Sequence, residues 1–220
     1  MRGKLVVFEG TDSSGKKTQV GLLVKRLRGD GKAVETMAFP AYETKFGELV
    51  ARYLKGDFGT KESVGPEIAA MLYSMDRYQF KDKIKGILEG GKLLILDRYI
   101  SSNIYQAAKA ADKEQLEIWE WAKRMESRLP QPDVVIFLNV PPDVSAKLFA
   151  GREAKSALIG KSLDIHEVDK SYQEKVRLLY LEIAKREGWI TVDCTKNGAL
   201  RRPEDIHEEI FKKLKERGAF

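Results

Sequence analysis

The stretch LVVFEGTDSSGKKT, residues 5–18, decides the fold. Its four leading apolar residues, Leu5–Phe8, predict a short buried strand. The segment GTDSSGK at residues 10–16 has two glycines and a lysine directly after the second one, which is the spacing of a loop that binds nucleotide phosphates. The apolar residues that follow recur at the spacing of one helix face: Val20, Leu23, Val24 and Leu27. A strand, a glycine-rich loop and a helix in this order predict a phosphate-binding loop.

The residue types in this loop suit a triphosphate. Glycine lets the backbone turn so that successive N–H groups point inward at phosphate oxygens, and the helix that follows adds the partial positive charge of its N-terminus. Lys16 can then reach the β- and γ-phosphates as a point charge. A strand-to-helix turn without a ligand is the alternative interpretation. The residues that we expect to bind ATP are Gly10, Thr11, Asp12, Ser13, Ser14, Gly15, Lys16, Lys17 and Thr18.

The loop departs from the usual pattern at one position. A Ser or Thr normally follows the lysine and gives its hydroxyl to Mg²⁺. Here Lys17 stands in that place, and the hydroxyl comes one residue later, at Thr18. Two possibilities stay open: water replaces this metal ligand, or the helix begins differently and Thr18 supplies it.

Further apolar runs alternate with helical patterns along the rest of the chain. Runs of this length, rich in Val, Ile and Leu, are typical of strands that are buried on both faces of a parallel sheet. The runs are Leu5–Phe8, Ala33–Phe39, Leu93–Leu96, Val134–Val140 and Trp189–Cys194. This alternation predicts a single α/β domain over residues 1–220. The small, basic, glycine-punctuated stretch at residues 150–165 is interpreted as a mobile lid.

Composition argues against several classes of protein. The 220 residues carry a net charge of +6, but Lys and Arg are interspersed with Asp and Glu, so no basic block predicts binding to nucleic acid. No apolar stretch is long enough to span a membrane. The single cysteine, Cys194, cannot form an internal disulfide, which favours a reducing compartment and hence the cytoplasm. His166 and His207 lack the spacing of metal ligands.

Asp97-Arg98-Tyr99 follows the buried run Leu93–Leu96, so we expect it at the carboxyl end of a strand, where open α/β sheets bind ligands. Asp97 could hold Mg²⁺ through water, and the Arg98 guanidinium could bind a phosphate with two N–H groups. A salt bridge at the end of the strand is the alternative interpretation.

The sequence resembles the thymidylate kinases over nearly its whole length. The resemblance is carried by Phe8–Asp12 with Gly15–Gln19, Phe39-Pro40, Leu72–Tyr78, Asp97-Arg98-Tyr99 with Ser102 and Tyr105-Gln106, Leu129–Asp133, and Asp164–Glu167. The stretch between Arg98 and Tyr105 is one residue shorter than is usual in that family. The resemblance implies a P-loop NTPase fold, with a five-stranded parallel sheet flanked by helices, and a homodimer. It also implies transfer of the γ-phosphate of ATP to dTMP, with Mg²⁺ as the metal.

Roles for individual residues follow from the resemblance. Asp12 would contact the 3′-hydroxyl of the sugar, Arg98 would bind the 5′-phosphate of dTMP, and Asp97 would orient the metal shell. Tyr73 would stack on thymine, and Arg77 would donate a hydrogen bond to a thymine carbonyl. The other residues expected to bind the substrate are Phe39, Ser102, Tyr105 and Gln106. The residues expected to be catalytic are Lys16, Asp97, Arg98 and Arg152.

Two departures from the family pattern affect these roles. Some thymidylate kinases carry an arginine in the phosphate loop where this chain has Ser13 and Ser14. We therefore expect a lid cation on the transferring phosphate, with Arg152 preferred to Lys155 or Lys161 because a planar guanidinium matches a phosphoryl group. The family also often places an arginine two residues after the Phe-Pro pair, at the position of Tyr42 in this chain.

Alternative functions stay open at this point. A deoxynucleoside kinase shares the phosphate loop and an Asp/Glu-Arg motif after the third strand, but serine usually follows the arginine there, so Tyr99 argues against it. The remaining alternatives are another nucleoside monophosphate kinase and a non-catalytic nucleotide-binding protein. For the helix at residues 72–78, the structural alternatives are a core role for Tyr73 and a surface ion pair for Arg77.

Overall fold

The computed structural model describes residues 2–60, 63–146 and 169–220, which form a sheet flanked by helices. The sheet has five parallel strands in the order β2-β3-β1-β4-β5, which confirms the predicted fold. The strands are β1 (Leu5–Gly10), β2 (Val34–Ala38), β3 (Leu93–Asp97), β4 (Val134–Asn139) and β5 (Ile190–Asp193). Each strand corresponds to one of the five apolar runs. The lid expected over residues 150–165 lies outside the described residues.

Helices cover both faces of the sheet. They are α1 (Lys16–Gly29), α2 (Lys45–Leu54), α3 (Pro66–Tyr78), α4 (Lys81–Glu89), α5 (Ile104–Ala107), α6 (Gln115–Met125), α7 (Lys170–Glu187) and α8 (Pro203–Glu216). A 3₁₀ turn at Ile100–Asn103 precedes α5, residues 142–146 are helical, and a small hairpin pairs Thr195–Lys196 with Ala199–Leu200. None of the helices in the described segments is long and apolar enough to cross a membrane.

Strand β1 lies at the centre of the sheet, and all six of its residues are buried. Its side chains alternate between the two faces, as the pleat of a strand requires. Val6 and Phe8 belong to a core cluster that includes residues of α1 and α8, whereas Leu5 and Val7 belong to a second cluster with residues of α4. Burial on both faces explains why this strand reads as a continuous apolar run rather than an alternating pattern.

The single cysteine of the chain lies in the first of these clusters. Cys194 follows β5, is 1% exposed and donates a weak hydrogen bond from Sγ to the carbonyl oxygen of Val192 at 3.4 Å. Burial raises the pKa of its thiol to about 12. Cys194 is therefore a small core side chain that stays protonated near neutral pH.

The carboxyl ends of β1 and β3 lie side by side, and this sets the location of the site. Phe8 and Asp97 are partners in the strand register, and the N–H of Arg98 donates to the carbonyl oxygen of Phe8 at 2.9 Å. The loop that follows β1 and the residues that follow β3 therefore meet at one edge of the sheet, where ligands of open α/β sheets bind.

Helix α2 approaches the loop after β2 very closely. A Cβ on Gly47 would lie 1.8 Å from the carbonyl oxygen of Ala41. The hydroxyl oxygen of Thr44 caps the same helix end by accepting from the Gly47 N–H at 3.0 Å. The path of this loop thus requires a residue without a side chain at position 47.

We expect Gly47→Ala to lower the free energy of unfolding by about 1–3 kcal/mol, because the added methyl group forces helix and loop apart. Gly21→Ala in α1 is the matched control, since a Cβ there meets nothing within 4 Å. That variant should be more stable than the wild type by up to about 1 kcal/mol, because alanine favours a helix. Urea unfolding followed by circular dichroism measures both changes. Equal stability of the two variants would contradict the close approach.

Candidate functional site

The phosphate loop lies between β1 and α1, as predicted. Gly15 is the N-cap residue of α1 and has a φ of +88°, a left-handed conformation that favours glycine. Two hydroxyls of the loop, Thr11 Oγ1 and Ser13 Oγ, are buried and have no hydrogen-bond partner within the described part of the chain. Buried hydroxyls of this kind require a partner. Their position before a helix N-terminus fits the oxygens of a bound phosphate.

The Lys16 ammonium points into this loop. Nζ donates to the carbonyl oxygens of Gly10 at 3.1 Å and Thr11 at 2.8 Å, and to Ser14 Oγ at 3.2 Å. The side chain is buried, and its burial together with the nearby Arg98 charge lowers the pKa of Lys16 to about 8, against the opposing effect of Asp97 and Asp12. Lys16 is therefore partly neutral at slightly alkaline pH, and an anion bound in the loop would favour its charged form.

An ion pair joins the phosphate loop to the residues after β3. Arg98 Nη2 lies 2.5 Å from Asp12 Oδ1, and Arg98 Nη1 donates to the carbonyl oxygen of Gly10 at 3.2 Å. Burial alone would raise the pKa of Asp12, but the charges of Arg98 and Lys16 outweigh it and hold this pKa below its usual value. Asp12 is therefore a carboxylate between two cations.

Helix α7 contributes a residue that fixes Asp12 from the other side. Gln173 Nε2 donates to Asp12 Oδ2 at 2.9 Å, and Gln173 Oε1 accepts from the Asp12 N–H and from the Tyr105 hydroxyl, both at 3.4 Å. Both carboxylate oxygens of Asp12 are thus engaged. The orientation of this side chain is set before any ligand arrives.

A cleft opens at this ion pair, and most of the predicted substrate residues line it. It is lined by Asp12, Pro40, Tyr42, Leu54, Tyr73, Arg98, Ser102, Tyr105 and Gln106. Six of these nine are residues that the sequence assigned to the acceptor. Flat rings and a few polar groups around one guanidinium are a suitable lining for a nucleotide.

Two polar features of the cleft bear on which ligand it accepts. Gln106 is 3% exposed, and its Oε1 has no hydrogen-bond partner among the residues that the structure describes. An unpaired acceptor that lines a cleft favours a ligand with an N–H group at that position. The Arg98 guanidinium lies 5.1 Å from the centre of the Tyr105 ring, so this arginine is also held by an aromatic face.

Phe39 and Arg77 are the two expected substrate residues that do not line this cleft, and their roles stay predictions. Phe39 is 5% exposed and packs against the rings of Phe80 and Tyr99, with centroids 5.5 and 5.7 Å away. Arg77 is 1% exposed, and its Nε and Nη2 donate to the two carboxylate oxygens of Glu126 at 2.6 and 3.0 Å. A guanidinium removed from water needs such a partner, and neither residue lines the cleft.

Three residues that hold the site were not assigned a role in the sequence analysis. Gln173 binds Asp12, Glu126 pairs with Arg77, and Glu9 accepts three hydrogen bonds next to Arg98. Burial raises the pKa of Glu9, although Arg98 acts in the opposite direction. For Glu9, the available signal in the sequence was its position directly after the apolar run Leu5–Phe8. For Gln173 and Glu126 no local pattern distinguishes them from surface residues.

Asp97 is the carboxylate that the sequence analysis assigned to a metal. It lies half-buried at the end of β3, and its charge partly opposes the lowering of the Lys16 pKa. Thr18 and Lys17 are exposed on α1. No group of three or more His, Cys, Asp or Glu side chains in the described segments could hold a metal ion by itself. One carboxylate plus phosphate oxygens is nevertheless a donor set that suits Mg²⁺. Arg152 lies outside the described residues.

Comparison with known proteins gives one consistent result. A family model described as Thymidylate kinase matches residues 8–210. A thymidylate kinase of Plasmodium falciparum is 32% identical over 97% of this chain and 90% of its own length, and one of Schizosaccharomyces pombe is 34% identical over 95% and 90%. The human thymidylate kinase is 31% identical over 95% and 88%. The structure of a thymidylate kinase from Candida albicans superposes with a TM-score of 0.72 at 26% identity, over 99% of this chain and 93% of that one.

The lowered pKa of Lys16 predicts proton uptake when the phosphate loop binds ATP. At pH 8.5 about half or more of the free protein carries a neutral Lys16, because the pKa is about 8, and the triphosphate restores the charge by raising that pKa. Affinity for ATP should therefore fall by up to about tenfold for each pH unit above 8. Calorimetry in buffers of different ionisation enthalpy counts the protons taken up. Lys16→Arg, which stays charged, should abolish this uptake, and an unchanged proton count in that variant would contradict the assignment.

Proposed function

Because the chain belongs to the thymidylate kinase family, we infer that it is an ATP-dependent nucleoside monophosphate kinase that transfers the γ-phosphate of ATP to dTMP. The products are dTDP and ADP, on the route to dTTP. The observation that carries this function is the ion pair between Asp12 of the phosphate loop and Arg98 of the cleft. It brings the loop that suits a triphosphate into contact with the cleft that suits a nucleotide acceptor.

On the donor side, the backbone of residues 10–15 binds the phosphates and Lys16 bridges the β- and γ-phosphates. The unpaired hydroxyls of Thr11 and Ser13 support this assignment, since both lie in the loop without a protein partner in the described segments. When ATP enters, the Lys16 ammonium exchanges the carbonyls of Gly10 and Thr11 for phosphate oxygens. A charge-assisted hydrogen bond to phosphate is stronger than one to a neutral carbonyl.

On the acceptor side, Arg98 binds the 5′-phosphate and Asp12 contacts the sugar 3′-hydroxyl. Tyr73 faces the base, with Tyr53 packed edge-on against its ring at 6.2 Å. Gln106 Oε1 accepts from the N3–H of thymine, and Ser102 and Tyr105 complete the lining. Cytosine has no hydrogen at N3, so this contact would favour thymine over cytosine. Arg77 is proposed to stabilise the interior next to the cleft by donating to Glu126, instead of binding the base.

Phosphoryl transfer in this arrangement needs alignment and positive charge more than a strong base. Lys16 and Arg98 supply two of the positive charges around the transferring group, and Arg152 is proposed as the third. Mg²⁺ is proposed to bind with ATP, with Asp97 as its protein carboxylate, directly or through water, and Thr18 as a further candidate. When bound, the ion neutralises phosphate charge as it develops.

A homodimer is proposed on the basis of an exposed apolar face. Ile68, Met71 and Met75 follow one another at helical spacing on α3 and are 55%, 42% and 37% exposed. Phe46, on α2, is 39% exposed, and α2 and α3 pack against each other. An apolar stripe of this kind marks an interaction surface, and a second copy of the chain can cover it symmetrically.

A cytoplasmic location is also proposed, because the one cysteine is buried as a thiol.

A coupled assay of ADP release tests the activity. With ATP and Mg²⁺, dTMP should give the highest kcat/KM among dTMP, thymidine, dUMP, dCMP, UMP, AMP and GMP. Gln106→Leu should lower kcat/KM for dTMP by about 10–100-fold, because it leaves the N3–H without an acceptor at a cost of about 1–3 kcal/mol. Gln115→Leu is the matched control, since Gln115 is also buried but lies outside the cleft.

The same screen separates the alternatives. Turnover of thymidine in preference to dTMP would identify a deoxynucleoside kinase, and a preference for another monophosphate would move the assignment within the nucleoside monophosphate kinases. Binding of ATP without any acceptor-dependent turnover would leave only a nucleotide-binding protein.

Light scattering tests the dimer. The wild type should have the mass of two chains, and Met71→Glu should dissociate it, because a carboxylate cannot be buried without a partner. Leu178→Glu on α7 is the control, since Leu178 is also an exposed apolar side chain at 53% but lies outside the α3 stripe. A monomeric wild type, or dissociation by Leu178→Glu alone, would contradict the proposed face.

A further inference from the structure

Arg98 has a backbone conformation that a residue with a side chain rarely adopts. Its φ is +67°, in the left-handed region, which strains the backbone of a residue other than glycine. Such a residue persists only where its surroundings hold it. Since Arg98 is the guanidinium of the acceptor cleft, whatever holds this backbone also sets the position of that charge.

Hydrogen bonds hold the backbone on both sides of Arg98. Its own N–H donates to the carbonyl oxygen of Phe8 at 2.9 Å. The next N–H, that of Tyr99, donates to Glu9 Oε1 at 3.0 Å. The first contact is an ordinary backbone bond between neighbouring strand ends. The second depends on a side chain, because its acceptor is a carboxylate oxygen of residue 9.

Glu9 binds the following 3₁₀ turn as well. Its Oε2 accepts from Ser102 Oγ and from the Tyr180 hydroxyl, each at 2.8 Å. Tyr180, on α7, is itself fixed because its ring stacks on Phe137 of β4, with centroids 4.9 Å apart and planes 10° from parallel. Glu9 is 0% exposed, so bulk solvent does not compete for these bonds. One carboxylate therefore connects β1, the turn after Arg98 and α7.

We propose that Glu9 is a positioning residue for the acceptor phosphate: it holds the turn at residues 98–102 so that the Arg98 guanidinium faces the cleft. It touches neither nucleotide and acts only through Arg98 and Ser102. This role rests on the proposed kinase function. It predicts that loss of the Glu9 charge weakens dTMP use far more than ATP binding, because Glu9 accepts its hydrogen bonds from Tyr99, Ser102 and Tyr180 and acts on the ATP loop only through its charge near Lys16.

Glu9→Gln is the main variant, because it keeps the side-chain volume and removes the charge that strengthens the bond to Tyr99. We expect kcat/KM for dTMP to fall by about tenfold or more, which corresponds to roughly 1.4 kcal/mol, while the Kd for ATP stays close to the wild-type value at pH 7, where Lys16 is mostly charged. Hydrogen exchange in the protein without substrates should accelerate at the amides of residues 98–103 and stay unchanged in β4 and β5.

Two tyrosine variants form a matched pair. Tyr180→Phe removes one donor to Glu9 and keeps the stacked ring, so it should reproduce part of the Glu9→Gln effect on dTMP. Tyr99→Phe removes a hydroxyl of the same turn that has no hydrogen-bond partner among the described residues. It should leave both the kinetics and the exchange as in the wild type.

Three results would overturn the proposal. One is a Glu9→Gln protein with wild-type kcat/KM for dTMP, and another is equal loss in the two tyrosine variants. A third is faster exchange spread over the whole sheet with a lower melting temperature and unchanged kinetic constants, which would mean that Glu9 only stabilises the fold. If the wild type does not phosphorylate dTMP, the proposed function fails, and the exchange measurement, which needs no substrate, still decides the role of Glu9.

Discussion

The ion pair between Asp12 and Arg98 is the interaction on which the site depends, because it joins two segments that are 86 residues apart in the chain. Asp12 belongs to the loop that follows β1, and Arg98 to the residues that follow β3. The parallel pairing of these strands brings the two charges to the same edge of the sheet. Gln173 binds Asp12, and Glu9 binds the turn that follows Arg98. The donor loop and the acceptor cleft are therefore held in a fixed position relative to each other.

The strands were predictable because burial on both faces leaves continuous apolar runs in the sequence. Their order in the sheet was not readable from those runs, and the family resemblance implied only that five parallel strands form one sheet. The ends of the elements depended on tertiary contacts. Strand β1 continues to Gly10, two residues past the predicted run, because Glu9 and Gly10 stay in register with β4. The Glu9 side chain is buried there because it accepts hydrogen bonds from the turn after β3 and from α7. The hairpin at residues 195–200 also escaped prediction, since its two-residue strands carry no periodic pattern.

For the site, sequence predicted which motifs meet and predicted less well which side chains reach the ligand. Tyr73 and Arg77 share one face of α3 by spacing, yet only Tyr73 lines the cleft. The difference is made by Glu126, which lies 49 residues further along and takes the guanidinium into the interior. Helical periodicity defines a face of a helix, but it contains no information about the element that packs there. Gln173 was missed for the same reason.

The burial of Cys194 in the core bears on chemical labelling of this protein. Cys194 is the only cysteine among the 220 residues, and its thiolate form is scarce at neutral pH. Alkylating reagents attack thiolates that are accessible to solvent, so the native chain is effectively unreactive toward maleimides. A cysteine introduced on the surface would consequently accept a fluorophore or spin label at one place only, without prior removal of the natural thiol.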